Sequence, residues 1–68
     1  MTTGEQLRAW RETARVPREH LAAEIGVAVR TIQNWEGGHS APDMAQLVRI
    51  AQFLRVSPEE WAALAALP

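Results

Sequence analysis

Apolar side chains recur along the chain at the spacing of an α-helix. Leu7, Trp10 and Ala14 lie at positions i, i+3 and i+7, which places them on one face of a first helix. A second set with helical spacing follows later in the chain: Met44, Leu47, Ala51 and Leu54. No segment shows the alternation of polar and apolar residues that is typical of a strand. The pattern predicts five helices and an all-α fold.

Capping residues, prolines and glycines mark where these helices begin and end. Thr3 with Gln6 forms a candidate capping box for the first helix, and Pro17 suits the first turn of the second. Gly26 is the expected left-handed end of the second helix, and the third begins about two residues later, so a tight turn joins them. The later signals end the third helix, cap the fourth and begin the fifth: Gly37, Gly38, Asp43, Ser57, Pro58 and Glu60.

The third helix has an apolar side and a polar side. Counting about 100° per residue from Val29, one side collects small and apolar residues: Ala28, Thr31, Ile32 and Trp35. The other side carries Arg30, Gln33, Asn34 and Gly37. Arg can pair both acceptors of guanine, and Gln or Asn can pair adenine, so this face suits a major groove. Polar residues are also the default on the outer face of any helix, and the pattern by itself fits both interpretations.

The length, the cysteine content and the absence of long apolar runs limit the class of protein. The chain has 68 residues, which is the length of one domain, 1–68, and it contains no cysteine, so disulfides cannot stabilise it. No apolar run approaches the roughly 20 residues that a membrane helix needs, and the first ten residues lack the order of a signal peptide. We therefore expect a cytoplasmic protein that makes no membrane contact.

The charge distribution leaves two classes of partner open. The net charge of −1 gives little support to nucleic-acid binding, because affinity for phosphates comes mainly from Lys and Arg. Residues 1–30 carry five Arg against four Glu, whereas residues 31–68 carry two Arg against four acidic residues. The slightly positive part includes the start of the third helix, which favours DNA. The acidic balance of the rest and the apolar last helix favour the alternative, a protein-interaction module.

The sequence contains no pattern that indicates catalysis or a metal site. His20 and His39 are the only two histidines, and no cluster of His, Cys or carboxylates has the spacing of metal ligands. No nucleophile with a neighbouring base and no glycine-rich phosphate loop is evident. We therefore expect neither an enzyme nor a metal protein, and we infer no cofactor and no small-molecule ligand.

The order of residues from Leu21 to Gly38 resembles the helix-turn-helix family of phage repressors and Cro proteins, the XRE-type regulators. Their pattern runs L-A-x-x-x-G-V-(S)-x-x-x-I-x-x-W-E-x-G, and this chain matches it at every framework position except the Ser, which is Ala28. The resemblance implies a compact five-helix, lambda-repressor-like domain with its helix-turn-helix at about 17–37. It implies a sequence-specific regulator of double-stranded DNA, a prokaryotic or phage repressor that docks its third helix in the major groove as a homodimer.

The resemblance also assigns roles to individual residues. Those implied to contact bases are Val29, Arg30, Gln33 and Asn34. Those implied to lie along the DNA backbone are Arg18, Thr31, Gly37, His39 and Ser40. Arg11 and Glu36 match a partly buried ion pair of similar repressors, and both lie at the borders of their apolar stripes. The alternative function is a protein-interaction module of the same fold, either antitoxin-like or antirepressor-like.

Three departures from the family pattern and the composition of the last helix lead to further expectations. Pro17 replaces the usual Ser or Thr cap, so the second helix is expected to lack a side-chain cap. Arg15 and Arg55 stand where the family often has Gly, which predicts either left-handed arginines or a different turn. The last helix carries three large apolar residues that form either a dimer contact or a cover over the core: Trp61, Leu64 and Leu67.

Overall fold

Five helices follow one another with short connections. The structure is a computed structural model that describes residues 2–65, with side chains described to residue 62. The helices are α1 (Thr3–Thr13), α2 (Arg18–Ile25), α3 (Val29–Glu36), α4 (Met44–Phe53) and α5 (Pro58–Ala65). Residues 2–65 contain no strand. The predicted all-α class and the number of helices are confirmed.

The first helix begins at a different capping box from the one predicted. Thr2, not Thr3, is the N-cap of α1: its Oγ1 accepts from the Glu5 amide at 3.2 Å, and the Glu5 carboxylate accepts from the Thr2 amide at 3.2 Å. The two boxes are shifted by one residue, and the one with Glu prevails because a carboxylate near a helix N-terminus also interacts favourably with the helix dipole. Hydrogen bonds from the Thr2 side chain and backbone lower the pKa of Glu5 below its ordinary value.

The other helix starts agree with the sequence to within one residue. Pro17 is the extended N-cap of α2, one position before the predicted site, and α2 has no side-chain cap, as expected from the missing Ser or Thr. Asp43 caps α4 and forms a box with Gln46, its carboxylate accepting from the Gln46 amide at 2.7 Å. The Ser57 hydroxyl accepts from the amide of Glu60 at the start of α5, at 3.3 Å.

Two arginines take the left-handed conformation at the ends of α1 and α4. Arg15 and Arg55 both have φ of 59°. The amide of the following valine then turns back to the helix: Val16 donates to the Arg11 carbonyl at 3.1 Å, and Val56 to the Ala51 carbonyl at 2.8 Å. These are the closures that glycine usually makes, and an L-residue with a side chain costs about 1 to 2 kcal/mol in this region. The left-handed alternative is thus the correct one at both sites.

The core lies between the first four helices, each of which contributes buried apolar side chains. The helix pairs in close contact are α1 with α3, α2 with α3 and α2 with α4. The buried apolar residues are Leu7, Trp10, Leu21, Ala22, Ile25, Ile32, Trp35, Leu47, Ile50, Ala51 and Leu54. Two residues of the apolar stripes predicted for the first and fourth helices lie outside it: Ala14 is exposed at the C-cap of α1, and Met44 is 56% exposed at the first position of α4. Both lie at helix ends, beyond the turns that pack.

A buried glycine, Gly4, allows α1 to approach the end of α3 closely. A Cβ placed on Gly4 would collide with the backbone carbonyl oxygen of Trp35 and would lie 2.8 Å from that of Glu36. Only glycine permits this approach, so Gly4 fixes where the last turn of α3 sits against α1.

In the part of the chain that the structure describes, no helix is both long and apolar enough to cross a membrane.

Candidate nucleic-acid interface

The third helix presents its polar side chains to solvent and its apolar side chains to the core. Ile32 and Trp35 are only 2% and 4% exposed, whereas Arg30 and Gln33 on the opposite side are exposed. Two buried anchors one turn apart hold the helix in a fixed rotation about its axis. The polar side chains therefore project from a rigid support, which suits them to contact a second molecule.

Three residues of α3 that the sequence placed at or beside DNA are half-buried. Val29, Thr31 and Asn34 have intermediate exposure, and Val29 packs in part against the core cluster. Only part of the Val29 side chain is therefore free for a contact with a base. Ala28, grouped with the apolar side by the sequence, is instead the exposed N-cap of α3, where it supplies no side-chain cap.

The turn between α2 and α3 spans three residues, and it begins with a left-handed glycine. Gly26 has φ of 83°, and its amide donates to the Ala22 carbonyl at 2.8 Å. Val27 donates to the same carbonyl at 3.0 Å, and Ala28 is extended. The chain thus changes direction within residues 26–28 and enters α3 at once. This is the compact connection of a helix-turn-helix.

Arg11 and Glu36, which were predicted to pair, form a buried ion pair between α1 and the last residue of α3. Arg11 Nε donates to Glu36 Oε2 at 2.6 Å and Nη2 donates to Oε1 at 3.2 Å, while Nη1 donates to the Val16 carbonyl at 3.1 Å. The two side chains are 10% and 4% exposed. The hydrogen bond with Glu36 raises the pKa of Arg11 above its ordinary value, so the Arg11 guanidinium stays charged.

Arg18 joins this pair, a contact that the sequence did not indicate. Its Nε donates to Glu36 Oε1 at 3.0 Å, so one carboxylate accepts from two arginines. The Arg18 side chain is 35% exposed, and both of its terminal Nη groups are free of hydrogen bonds within residues 2–65. The group of Arg11, Glu36 and Arg18, here called the α1–α2–α3 ion cluster, carries a net charge of +1 and links three helices.

The loop after α3 is exposed beside the polar face of that helix. Gly37 continues the right-handed turn, and Gly38 has φ of 81°, which reverses the chain. The His39 amide donates to the Asn34 carbonyl at 2.9 Å, and its imidazole Cδ2 lies 3.2 Å from where a Gly37 Cβ would be. Ser40 is also exposed. All three loop residues predicted to lie along a DNA backbone are therefore accessible.

The last helix is described only in part. Trp61 is half-buried and packs against the core cluster, which agrees with a role in covering the core. The Leu64 side chain and Leu67 lie outside the described residues, so the predicted dimer contact stays a prediction.

His20, one of the two histidines, packs edge-on against Phe53 with ring centroids 5.4 Å apart. In residues 2–65 no group of three or more His, Cys, Asp or Glu could hold a metal ion.

Comparison with known protein families agrees with this architecture. A model of the helix-turn-helix family matches residues 7–61, a span that runs from the middle of α1 into α5. Comparison with curated proteins and with solved structures gave no match. Because the family match covers most of the chain and includes α2, the Gly26 turn and α3, the chain belongs to the XRE-type helix-turn-helix family, the Cro- and repressor-like DNA-binding domains of transcription regulators.

Proposed function

We propose that this domain is a sequence-specific repressor that docks α3 in the major groove of double-stranded DNA. The observation that carries the proposal is the exposure of Arg30 and Gln33 on a helix whose opposite side is anchored by Ile32 and Trp35. A helix of this kind enters the major groove with its outward side chains against base edges.

The base contacts follow from the chemistry of the outward side chains. Arg30 suits the O6 and N7 acceptors of guanine, and Gln33 or Asn34 suits the acceptor and donor of adenine. The free part of Val29 suits a thymine methyl group. Each good bidentate contact discriminates against the wrong base by about 1 to 3 kcal/mol. Arg30 and Gln33 are the more exposed, so they carry most of the discrimination.

The phosphate contacts come from the two ends of the helix-turn-helix. Arg18 keeps its terminal Nη groups free while Glu36 holds its Nε, and it stands at the start of an α2 that lacks a side-chain cap. A phosphate there would meet a guanidinium and uncapped helix amides together. On the other side, Thr31 and the loop residues Gly37, His39 and Ser40 contact the second stretch of backbone.

The size of the domain fits a dimer on two successive major grooves. The Cα extents of one copy are 26, 24 and 20 Å, which leaves room for two copies side by side on half-sites one DNA turn apart, roughly 34 Å. The contact predicted for this homodimer is Trp61, Leu64 and Leu67, of which the Leu64 side chain and Leu67 lie outside the described residues. Occupancy of the operator by the dimer excludes other proteins from the same DNA.

The first test is a selection of random duplexes by the purified protein at two salt concentrations. We expect a motif with two related halves, and weaker binding at higher salt because phosphate contacts release counterions. Arg30→Ala should erase the preference at one base pair of each half and reduce affinity roughly tenfold per half-site, about a hundredfold for the dimer, because one bidentate contact is lost in each half. Arg8→Ala removes the same charge from an exposed position on α1 and should leave the motif intact. An unchanged motif in Arg30→Ala would refute the assignment.

A protein-interaction module is the second candidate, and one observation favours it. Met44 is 56% exposed and stands in residues 31–68, where acidic side chains outnumber arginines. An exposed apolar side chain such as Met44 would contact an apolar segment of a partner, and salt does not weaken contacts of this kind. Absence of any enriched DNA motif, together with absence of salt-sensitive DNA binding, would favour this candidate over the first.

A further inference from the structure

An arginine of α4 reaches across to the end of α2. Arg49 donates from Nη2 to the Glu24 carbonyl at 2.8 Å and from Nη1 to the Ile25 carbonyl at 3.2 Å. These two carbonyls belong to the last two residues of α2, and they point toward the cleft between α2 and α4. Both terminal nitrogens of the Arg49 guanidinium thus donate to carbonyls at the same end of one helix.

The C-terminal end of α2 has carbonyl groups and a partial negative charge that its own residues do not compensate. The last four carbonyls of a helix have no partner within the helix, and a cation near them is favourable. The last turn of α2 contains no basic residue, and its N-terminal end has no side-chain cap. Arg49 therefore supplies, from another helix, the cation and two of the missing donors.

The position of these carbonyls makes the contact relevant to α3. Gly26 follows Ile25 directly, and α3 begins three residues later at Val29. The direction in which the chain leaves α2 is therefore fixed by the peptide groups that Arg49 holds. A small rotation there would tilt the whole of α3, because the connecting turn is too short to absorb it.

We propose that Arg49 is a positioning residue for DNA sequence recognition. It locks the end of α2 to α4, and so sets the angle at which α3 presents Arg30 and Gln33 while Arg18 engages a phosphate. The proposal rests on the proposed docking of α3 in the major groove. A direct phosphate contact does not explain the geometry, because the guanidinium points at α2 carbonyls. Those carbonyls also lie at the opposite end of α2 from Arg18, about 9 to 10 Å away along the helix axis.

The first arm of the test needs no DNA. Arg49→Met keeps an unbranched apolar stem but removes the fork, and hydrogen exchange is followed at the amides of Gly26 and Val27, which donate to the Ala22 carbonyl. We expect exchange at these two amides to rise roughly tenfold while core amides of α1 change less. Arg49→Lys, which can serve one carbonyl at a time, should be intermediate. Equal exchange in Arg49→Met and the original protein would overturn the proposal.

The second arm separates positioning from plain stability. Ile50→Val, at the next position of α4, removes one methylene from a residue that is 1% exposed and serves as the destabilised control. Affinities for the selected duplex and for a scrambled duplex are measured at one salt concentration, well below every melting temperature. We expect the ratio of the two affinities to fall roughly tenfold in Arg49→Met, as for loss of one good base contact, and to stay unchanged in Ile50→Val.

The outcomes distinguish this proposal from the one on which it rests. If the original protein discriminates between the duplexes and Arg49→Met discriminates equally well, the positioning role is wrong and the proposed function stands. If the original protein does not discriminate at all, the proposed function fails and the positioning role fails with it. A lowered ratio that Arg49→Lys partly restores would support the role.

Discussion

Replacing Gly4 by alanine should destabilise the domain, although the same change is usually favourable in a helix. Gly4 lies in the first turn of α1, where alanine would ordinarily gain about 0.5 to 1 kcal/mol. Here the new Cβ would collide with the Trp35 carbonyl oxygen and lie 2.8 Å from the Glu36 carbonyl oxygen. Both are backbone atoms, so relief requires moving the end of α3, and such overpacking costs about 1 to 3 kcal/mol.

The middles of these two ranges leave a net loss of about 1 kcal/mol, which is large against the roughly 3 to 10 kcal/mol that a chain of this length commonly has. It corresponds to a fall in melting temperature of about 4 to 8 °C. Urea and thermal unfolding followed by circular dichroism measure it. Ala9→Gly, at a half-buried position of the same helix, is the control and should also destabilise, since alanine is favoured there. A more stable Gly4→Ala variant would refute the close approach of α1 to α3.

Three further predictions concern charges and backbone strain. Glu36→Gln leaves a buried guanidinium without its carboxylate and should cost about 3 to 5 kcal/mol in urea unfolding, as for other broken buried pairs. Arg15→Gly and Arg55→Gly should each raise the melting temperature by a few degrees, because glycine takes positive φ without the cost of about 1 kcal/mol that a side chain brings. Glu5 should titrate by NMR below the ordinary range of a glutamate, so its stabilising contribution is full above that range and is lost as the pH falls through its lowered pKa.

Each of these predictions has a matched control. Glu12→Gln breaks the Arg8–Glu12 pair, whose side chains are 57% and 56% exposed, and should change stability by less than about 1 kcal/mol. A stability loss in Glu36→Gln no larger than that in Glu12→Gln would show that burial does not increase the cost of breaking the Arg11–Glu36 pair. Arg15→Lys keeps both charge and strain and should give no gain. For Glu5, Thr2→Ala removes the hydrogen bond between the Thr2 hydroxyl and the Glu5 carboxylate and should move the pKa of Glu5 upward. An unchanged pKa would contradict the assignment of the lowered pKa to this hydrogen bond.

The helices could be predicted because their signals are local. Apolar spacing identified α1 and α4, Gly26 marked the end of α2, and Asp43 marked the start of α4. The errors are local as well. At Thr2 and Thr3, two overlapping capping boxes differ by one position, and spacing alone does not rank them.

The contacts that tie the helices together could not be predicted in the same way. Arg18 is 18 residues from Glu36, and Arg49 is 24 from Ile25, so no local pattern relates either arginine to its partner. Arg11 and Glu36 were anticipated only through the family resemblance. Gly4 was missed because periodicity shows which face of a helix points inward, but not how near the neighbouring backbone comes.

The way in which α3 is held has a consequence for the evolution of specificity. Its fixed points are the ion cluster at Glu36, the turn at Gly26 and the buried side chains of Ile32 and Trp35. Arg30 and Gln33 take no part in these, so exchanging them should alter the preferred operator and leave the melting temperature nearly unchanged. A library randomised at these two positions should therefore consist mostly of folded proteins, each a starting point for a different target sequence.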